Sequence, residues 1–414
     1  MGPITIFDKS FLQSLNIDES VWFDKFFMTN ITPLFYVETL ADLEKASRAG
    51  LTPEQEVGVI ADKTPQMGSN PNCHHAQLCV QNLMGNPVTM DGRILLSGGR
   101  PVKTADQSGI IFDIAPEAEA LERWCNREFL IIERRIAKSW RKSLGAFDIE
   151  GALNRFNDLG VNANTCKKLE DAKSIADFIV AAKGYSFGRF QFLFDLLGLP
   201  ERFFTPVFKR WGYAGCPSLQ TFAPYSAHIA SIELFFYIAA ASNLISRVDA
   251  SSKIDLAYLF YLPFCMIFVS SDKIHRRCSS LFMRNDQEFI WGPDLKADLK
   301  KIDQYYDNLP DSEKEKGLHS FATYPPKEGD FLVTRLWDRF LPKWRAQSKT
   351  KPVHRDKLVN GRIAQHVRKF ANAETLKSHQ ADFDFKNPDA MVVKRYVHMK
   401  RGKWWILPKD LPNK

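Results

Sequence analysis

The chain has 414 residues, 45% of them hydrophobic and 25% charged, an ordinary globular composition with no repeat or low-complexity tract. That length excludes one small core; two or three domains, or one domain with large insertions, are expected. The net charge of +8 is unevenly placed: residues 331–414 hold 20 Lys and Arg against 7 Asp and Glu, and the first 330 hold 36 against 41. The basic C-terminal part predicts an acidic partner, with nucleic acid the usual one, against the plainer reading of a solvated tail.

The opening "MGPITIFDKS" has no basic, apolar, small-residue succession, so no signal peptide is expected, and Gly2-Pro3 is a poor start for myristoylation. Seven scattered cysteines fit a reducing, cytoplasmic setting better than a disulfide framework. "SIELFFYIAAASNLI" is short and holds Glu233, while "IDLAYLFYLPFCMIFV" holds Asp255 and Pro263. Both read as core, and no membrane contact is expected.

In chain order, "ITIF" (4–7) is a short β-rich run that ends on Asp8. Asp18 or Ser20 can cap a helix whose apolar face is Val21, Trp22, Phe26 and Phe27. In "PLFYVETLADLEKA", Val37, Leu40, Ala41 and Glu44 repeat at helical spacing, with Glu38 and Asp42 four apart on another face. Residues 50–112 are rich in turn formers and read as irregular.

From Pro116 one long helix is expected, with Leu121, Cys125, Phe129, Ile132, Ile136 and Trp140 as its stripe and Gly145 able to close it. Helical patterns continue through 146–215. "HIASIELFFYIAAASNLISR" is apolar nearly all round and predicts a buried helix. Ser251 or Ser252 then caps a helix with Asp255 in its first turn, stopped by Pro263. "FCMIFVSSDKIHRR" (264–277) follows, a strand buried on both faces that ends on Asp272. "DLKADLKKIDQYYDNL" reads as a charged surface helix and "DSEKEKG" as a linker before the basic region.

Four acids share a pattern. Asp8 and Asp272 end strands, Glu38 sits in a helix about thirty residues after Asp8, and Asp255 opens a helix seventeen residues before Asp272. In a parallel sheet, two adjacent carboxyl ends bring Asp8 and Asp272 into one crevice. Crowded carboxylates repel and raise one another's pKa, so the cluster makes sense with a hard cation such as Mg²⁺ or Mn²⁺. A metal so held can cleave a phosphodiester without a His or Cys nucleophile.

"ITIFDKS", "FYVETLADL" and "IDLAYLFYLPFCMIFVSSDK" resemble the motifs of the PIN-like nuclease family. The resemblance implies a three-layer α/β/α sandwich around a mostly parallel sheet. It also implies cleavage of RNA, sometimes DNA, with Mg²⁺ or Mn²⁺ held by Asp8, Glu38, Asp255 and Asp272. Ser10 stands in the hydroxyl position that often follows the first aspartate, and Ser270 in the one before the last. Asp42 and Lys273 are supporting candidates.

The match covers about residues 3–45 and 230–290, and its glutamate and third aspartate lie much farther apart than in the family. This divides the chain into a PIN-like core (1–48 and 226–310), a mainly helical insertion (49–225) that could meet a protein partner or a second copy, and a basic α+β or irregular C-terminal extension (311–414). Arg276, Arg277, Lys394, Arg395, Lys400, Arg401, Trp404 and Trp405 are candidate nucleic-acid contacts, the cations for phosphates and the tryptophans for bases.

Each reading has a plainer rival. Asp8 and Asp272 can cap turns, Glu38 can be a solvated helix residue, and Asp255 can complement a helix dipole. The basic residues can be surface charge, and Trp404–Trp405 can anchor the tail on the core. Cys73, His74, His75 and Cys79 are zinc-type ligands, but their spacing matches no common structural zinc pattern. At the level of function, the rival is a catalytically inactive nucleic-acid-binding or scaffold protein with the same fold. A phosphotransferase using Asp8 as nucleophile lacks the second aspartate two residues on, where Ser10 stands.

Overall fold

Ile4–Phe7 form the first strand, β1, and Asp8 turns the chain into a helix, α1 (Lys9–Ser14), by accepting a hydrogen bond from the Phe11 amide. The computed structural model describes residues 2–45, 50–96, 98–105, 108–145, 166–184, 186–245, 250–348, 365, 369–370, 372–376 and 391–411. The next helix, α2 (Ile17–Phe26), starts in a capping box between Asn16 and Glu19 and buries Val21, Trp22, Phe23 and Phe26. It leads into β2 (Met28–Ile31) and α3 (Pro33–Leu40), which carries Glu38.

β2 escapes a hydrophobic-pattern reading because its buried centre is polar: Thr29 and Asn30 are both fully buried. Asn30 donates to the Phe264 carbonyl at 3.0 Å.

Three further strands complete an all-parallel sheet: β3 (Asn70–Pro71), β6 (Ile267–Ser270) and β7 (Glu288–Trp291), in the order β3-β2-β1-β6-β7. The strand order reverses at β1, so the carboxyl ends of β1 and β6 flank the switch point where α/β sheets place their ligands. Thr5 faces Ile267 and Phe7 faces Val269 across this pair. The fold is therefore α/β, a central five-stranded parallel sheet packed by helices.

A second sheet, of order β8-β4-β5-β9, joins a hairpin, β4 (Arg100–Lys103) and β5 (Ser108–Phe112), to β8 (Glu374–Thr375) and β9 (Met391–Val393). It has its own small core of Val102, Ile111 and Phe370.

Several expectations are corrected. Residues 50–112 are not irregular: they hold helices Pro53–Lys63 and His75–Leu83, strand β3 and the β4–β5 hairpin. Turn formers fill many of the connections between these short elements, while Asn70 and Pro71 form β3 itself and Pro101 lies in β4. The long helix is two helices, Pro116–Cys125 and Ile131–Gly145, separated by a turn in which Arg127 has φ 61°. The break rotates the stripe out of register, which leaves Ile132 and Ile136 exposed while Trp124 and Ala137 are buried.

Asp255 lies near the end of the helix Ala250–Ala257 rather than in its first turn. Pro263 sits inside a following 3₁₀ segment, Tyr258–Phe264. "DSEKEKG" begins with a helical turn, Asp311–Lys314.

Other expectations hold. The helix Pro224–Ala241 is buried on nearly every side, and Gly292–Asp307 is a helix with one buried face. One continuous apolar core draws on all four sequence regions, with Phe7, Leu78, Leu259 and Trp337 among its members. Among the described residues no helix is long and apolar enough to cross a membrane.

Candidate active site

The carboxyl ends of β1 and β6 are tied together through Asp8. Its backbone N–H donates to the Val269 carbonyl at 3.2 Å. One carboxylate oxygen accepts from the Phe11 amide (2.9 Å), the other from the Ser10 and Ser270 hydroxyls (2.6 and 2.7 Å). The two serines flagged in the sequence thus grip the same aspartate.

Beneath them lies a fully buried residue that sequence reasoning missed, His275. Its Nδ1 is 2.7 Å from Ser270 Oγ and 3.7 Å from the Asp8 carboxylate, and its Nε2 is 2.5 Å from the Asp255 carbonyl.

With Asp8 ionised, as its lowered pKa requires, hydrogen-bond accounting sets the charge of this histidine. Ser270 has one hydroxyl proton and gives it to Asp8, so Nδ1 must donate to Ser270. Nε2 faces a carbonyl, which only accepts, so it donates as well. His275 is therefore an imidazolium held against Asp8. The pKa directions agree. Burial alone would raise Asp8, but His275, Ser10 and Ser270 outweigh it and hold the carboxyl below its usual value. Burial alone would lower His275, but Asp8 and Asp255 together outweigh it and raise the imidazole.

Glu38 projects from α3 toward the same edge. Tyr258 donates to it at 2.7 Å, and the Lys9 ammonium stands 3.4 Å away. Lys9 is itself buried and also bonds both oxygens of Asp42 at 3.0 Å. Asp42 further meets Lys45 at 2.5 Å and Arg141 at 3.6 Å. It is thus the counter-charge of a cation cluster. Lys9 and Tyr258 were not singled out in the sequence, though one adjoins Asp8 and the other follows Asp255 at helical spacing.

Asp272 caps the helix Lys273–Cys278, accepting from the Ile274 amide at 2.6 Å, while its own N–H donates to Ser270 Oγ at 2.9 Å. Asp255 differs from the other three: among the described residues its carboxylate has no hydrogen-bond partner. Burial raises its pKa to about 7, and Asp272, Glu38 and Asp8 add to the rise against the opposing charge of His275. All four acids therefore share one electrostatic neighbourhood.

In chemistry this all-oxygen donor set fits a hard divalent cation, and its surplus negative charge is what such an ion relieves. In position it does not close on one centre: among the described residues no group of three or more His, Cys, Asp or Glu could hold a metal ion as it stands. Asp8, Glu38 and Asp272 are engaged by protein donors.

Near this edge, Lys273 and Arg277 are exposed, and Arg277 donates to the Leu244 carbonyl at 2.9 Å. The exposed Arg276 guanidinium lies over the Trp291 ring at 4.9 Å.

The C-terminal candidates divide. Arg401 and Trp404 are corrected: both are buried, where neither can meet a nucleic acid. Arg401 pairs with Asp24 at 2.9 Å. Trp404 donates to Asp303 at 2.8 Å and packs edge-on against Trp22. The other three cations and Trp405 keep some exposure. Lys394 is exposed and paired with Asp113 at 2.7 Å; Lys400 lies 5.1 Å over the half-buried Trp405 ring. Arg395 is half-buried and donates to the Ser69 carbonyl and to Asn70.

Among the described residues, Cys73, His74, His75 and Cys79 do not form a group that could hold a metal ion. Burial pushes the Cys79 thiol up to about 12, and burial with His74 nearby lowers His75 to about 3. His75 Nδ1 is 3.2 Å from the Tyr261 hydroxyl.

No family model, curated protein or solved structure matches this chain.

Proposed function

We propose that the protein is a divalent-metal-dependent nuclease with a PIN-like fold, with RNA favoured over DNA through the family resemblance of its motifs. The observation that carries this reading is Asp255, a carboxylate with no hydrogen-bond partner among the described residues, whose pKa is driven to about 7 by burial and by three neighbouring acids at the switch point of a parallel sheet. Perturbed carboxylates in such a place are a mark of function.

Asp8, Glu38, Asp255 and Asp272 would hold Mg²⁺ or Mn²⁺. A bound ion supplies Lewis-acid activation of water and neutralises charge on the phosphodiester. The chain's own part is positioning: Ser10, Ser270 and the His275 imidazolium fix Asp8 in its ionised form, and Lys9 and Tyr258 fix Glu38. Lys273 and Arg276 are the cations available to a phosphate backbone beside Asp272. None of the seven cysteines is in a disulfide, which supports a cytoplasmic setting.

The test is cleavage of labelled RNA and DNA with Mn²⁺ or with EDTA, beside an Asp8→Asn variant. Mn²⁺-dependent cleavage lost in the variant is expected; equal cleavage by the variant removes the proposal.

A specific observation favours the second reading, an inactive nucleic-acid-binding or scaffold protein: three of the four acids are already engaged by protein donors. That reading expects salt-sensitive nucleic-acid binding that Asp8→Asn and Asp272→Asn leave unchanged.

A further inference from the structure

The helix Ile131–Gly145 packs against α3, which carries Glu38, and against the 3₁₀ turn Ala41–Glu44. It also touches the helix Ala250–Ala257, which carries Asp255. It therefore borders the acid edge on the Glu38 side. Its charges are lopsided: Arg134, Arg135, Lys138, Arg141 and Lys142 stand against Glu133 alone. Glu133 is buried and taken by Arg123 at 2.6 Å, so it offsets none of the five cations.

Helical spacing gathers these cations into one stripe. Arg134, Lys138 and Arg141 recur at i, i+4 and i+7, and Arg135 and Lys142 lie along the outer side of that row. The buried Glu133 and Ala137 form the face beside it. The row is anchored at both ends. Arg134 meets Glu54 at 2.8 Å, while Arg141 donates to the Ala41 carbonyl at 3.1 Å and lies 3.6 Å from Asp42. Asp42 also holds Lys9 at 3.0 Å, and Lys9 stands 3.4 Å from Glu38. Direct contacts thus lead from the stripe to the acids.

Arg135, Lys138 and Lys142 are exposed, and among the described residues none of them has an ion pair or hydrogen bond. The acids on the packed elements do not meet them. Asp42 is paired, Glu38 is held by Lys9 and Tyr258, and Glu44 is exposed on its turn without reaching any of the three. From Arg135 to Lys142 the row is about 10 Å long, at 1.5 Å per residue. It presents several fixed cations to one polyanion.

A polyanion brought to a cluster of carboxylates needs cations at its flanks to offset the repulsion. Lys273 and Arg276 stand on the Asp272 side, and this helix supplies the Glu38 side. We propose that the basic stripe of the helix Ile131–Gly145 holds the phosphate backbone of a single-stranded nucleic acid and leads it past Glu38 onto the acid edge. The choice of partner rests on the nuclease reading. On the opposite flank of the helix Ile132 and Ile136 are exposed, and a basic stripe beside apolar side chains also suits a membrane surface, which the test separates.

The experiment is binding of a short labelled single-stranded RNA to the full chain in EDTA, titrated at several salt concentrations. Arg135→Ala with Lys138→Ala removes two cations that have no partner, so the melting temperature should not fall. Binding should weaken about tenfold or more, and log K against log salt should become shallower by about 1.4, about 0.7 for each lost phosphate contact. The same charge change at the exposed Lys300 and Lys301, on the helix Gly292–Asp307, should leave affinity unchanged.

Equal weakening by the two double variants would reduce the effect to net charge and overturn the proposal. So would no binding of RNA at low salt. Vesicles containing phosphatidylserine that bind through Arg135 and Lys138, while RNA binding ignores both, would assign the stripe to a membrane and overturn it as well. Stripe-dependent RNA binding without Mn²⁺-dependent cleavage would keep this proposal and strike the nuclease reading; cleavage and binding indifferent to the stripe would strike this proposal alone.

Discussion

Two parts of this molecule bury an aspartate against a cation, and they differ in what is left over. On one side, Asp24 accepts from the amides of Gln66, Met67 and Gly68 and pairs with Arg401, which also donates to the Asp62 carbonyl. The carboxylate is fully met, and the effect is to clamp the C-terminal strands β10 (Lys400–Arg401) and β11 (Trp404–Trp405) onto α2. On the other side, Asp8 is equally buried and equally paired, with His275, Ser10 and Ser270. Here, however, three more acids share the neighbourhood and one of them, Asp255, has no hydrogen-bond partner for its carboxylate among the described residues. At Asp24 the carboxylate itself is met, and only Arg401 Nε is left over among the described residues. At Asp8 what is left over is negative charge, the feature on which the proposed site rests.

That contrast can be broken by experiment, beginning with the largest effect. Asp8→Asn should lower any Mn²⁺-dependent cleavage at least about 10²-fold, measured on labelled RNA at saturating metal. Asp24→Ala should leave the Arg401 charge buried and unpaired, at a cost of about 3–5 kcal/mol in denaturant unfolding. If Asp24→Ala instead abolished cleavage in a protein of unchanged stability, the division between clamp and site would be wrong.

Asp255→Asn should do the opposite of Asp24→Ala. The folded-state pKa of Asp255, about 7, lies above its ordinary 3.8. Its contribution to stability is therefore fully present below pH 4 and lost as pH rises through 7. The variant should be more stable than wild type above pH 7, on the order of 2 kcal/mol, and equal to it near pH 4. Unfolding curves at pH 4 and pH 8 measure this, and a destabilised variant at pH 8 would contradict it. Smallest of all, Lys400→Ala removes an exposed cation resting on Trp405 and should change stability by less than about 0.5 kcal/mol.

Sequence patterns revealed this edge of the sheet far better than they revealed the C-terminal part. Asp8 and Asp272 were legible because an apolar strand that stops on an acid gives both the element and its end. Ser10 and Ser270 followed from the same motifs. His275 was invisible because a histidine between a lysine and two arginines reads as surface, and only the packing shows it beneath Asp8. Asp255 was found for its type but misplaced in its helix, since Ala250 begins that helix earlier than the serines suggested.

At the other end, Arg401 and Trp404 were credited with the exposure their basic neighbours have. A run of cations gives no phase, and in a two-residue strand alternate side chains point to opposite faces. Trp404 is buried while Lys400, opposite Trp405, is exposed. The strands β2, β3 and β7 were missed because they are two to four residues long and carry polar or mixed residues, so no period of two can establish itself.

The central claim is that acids drawn from β1, α3, the helix Ala250–Ala257 and the end of β6 act together on one cation. A crystal grown with Mn²⁺ and measured at the manganese absorption edge tests it most directly. The account predicts an anomalous peak between the carboxylates of Asp8, Asp255 and Asp272, with Asp255 moved onto the ion. A fully ordered edge with no peak there, and Asp255 where it stands now, would contradict it.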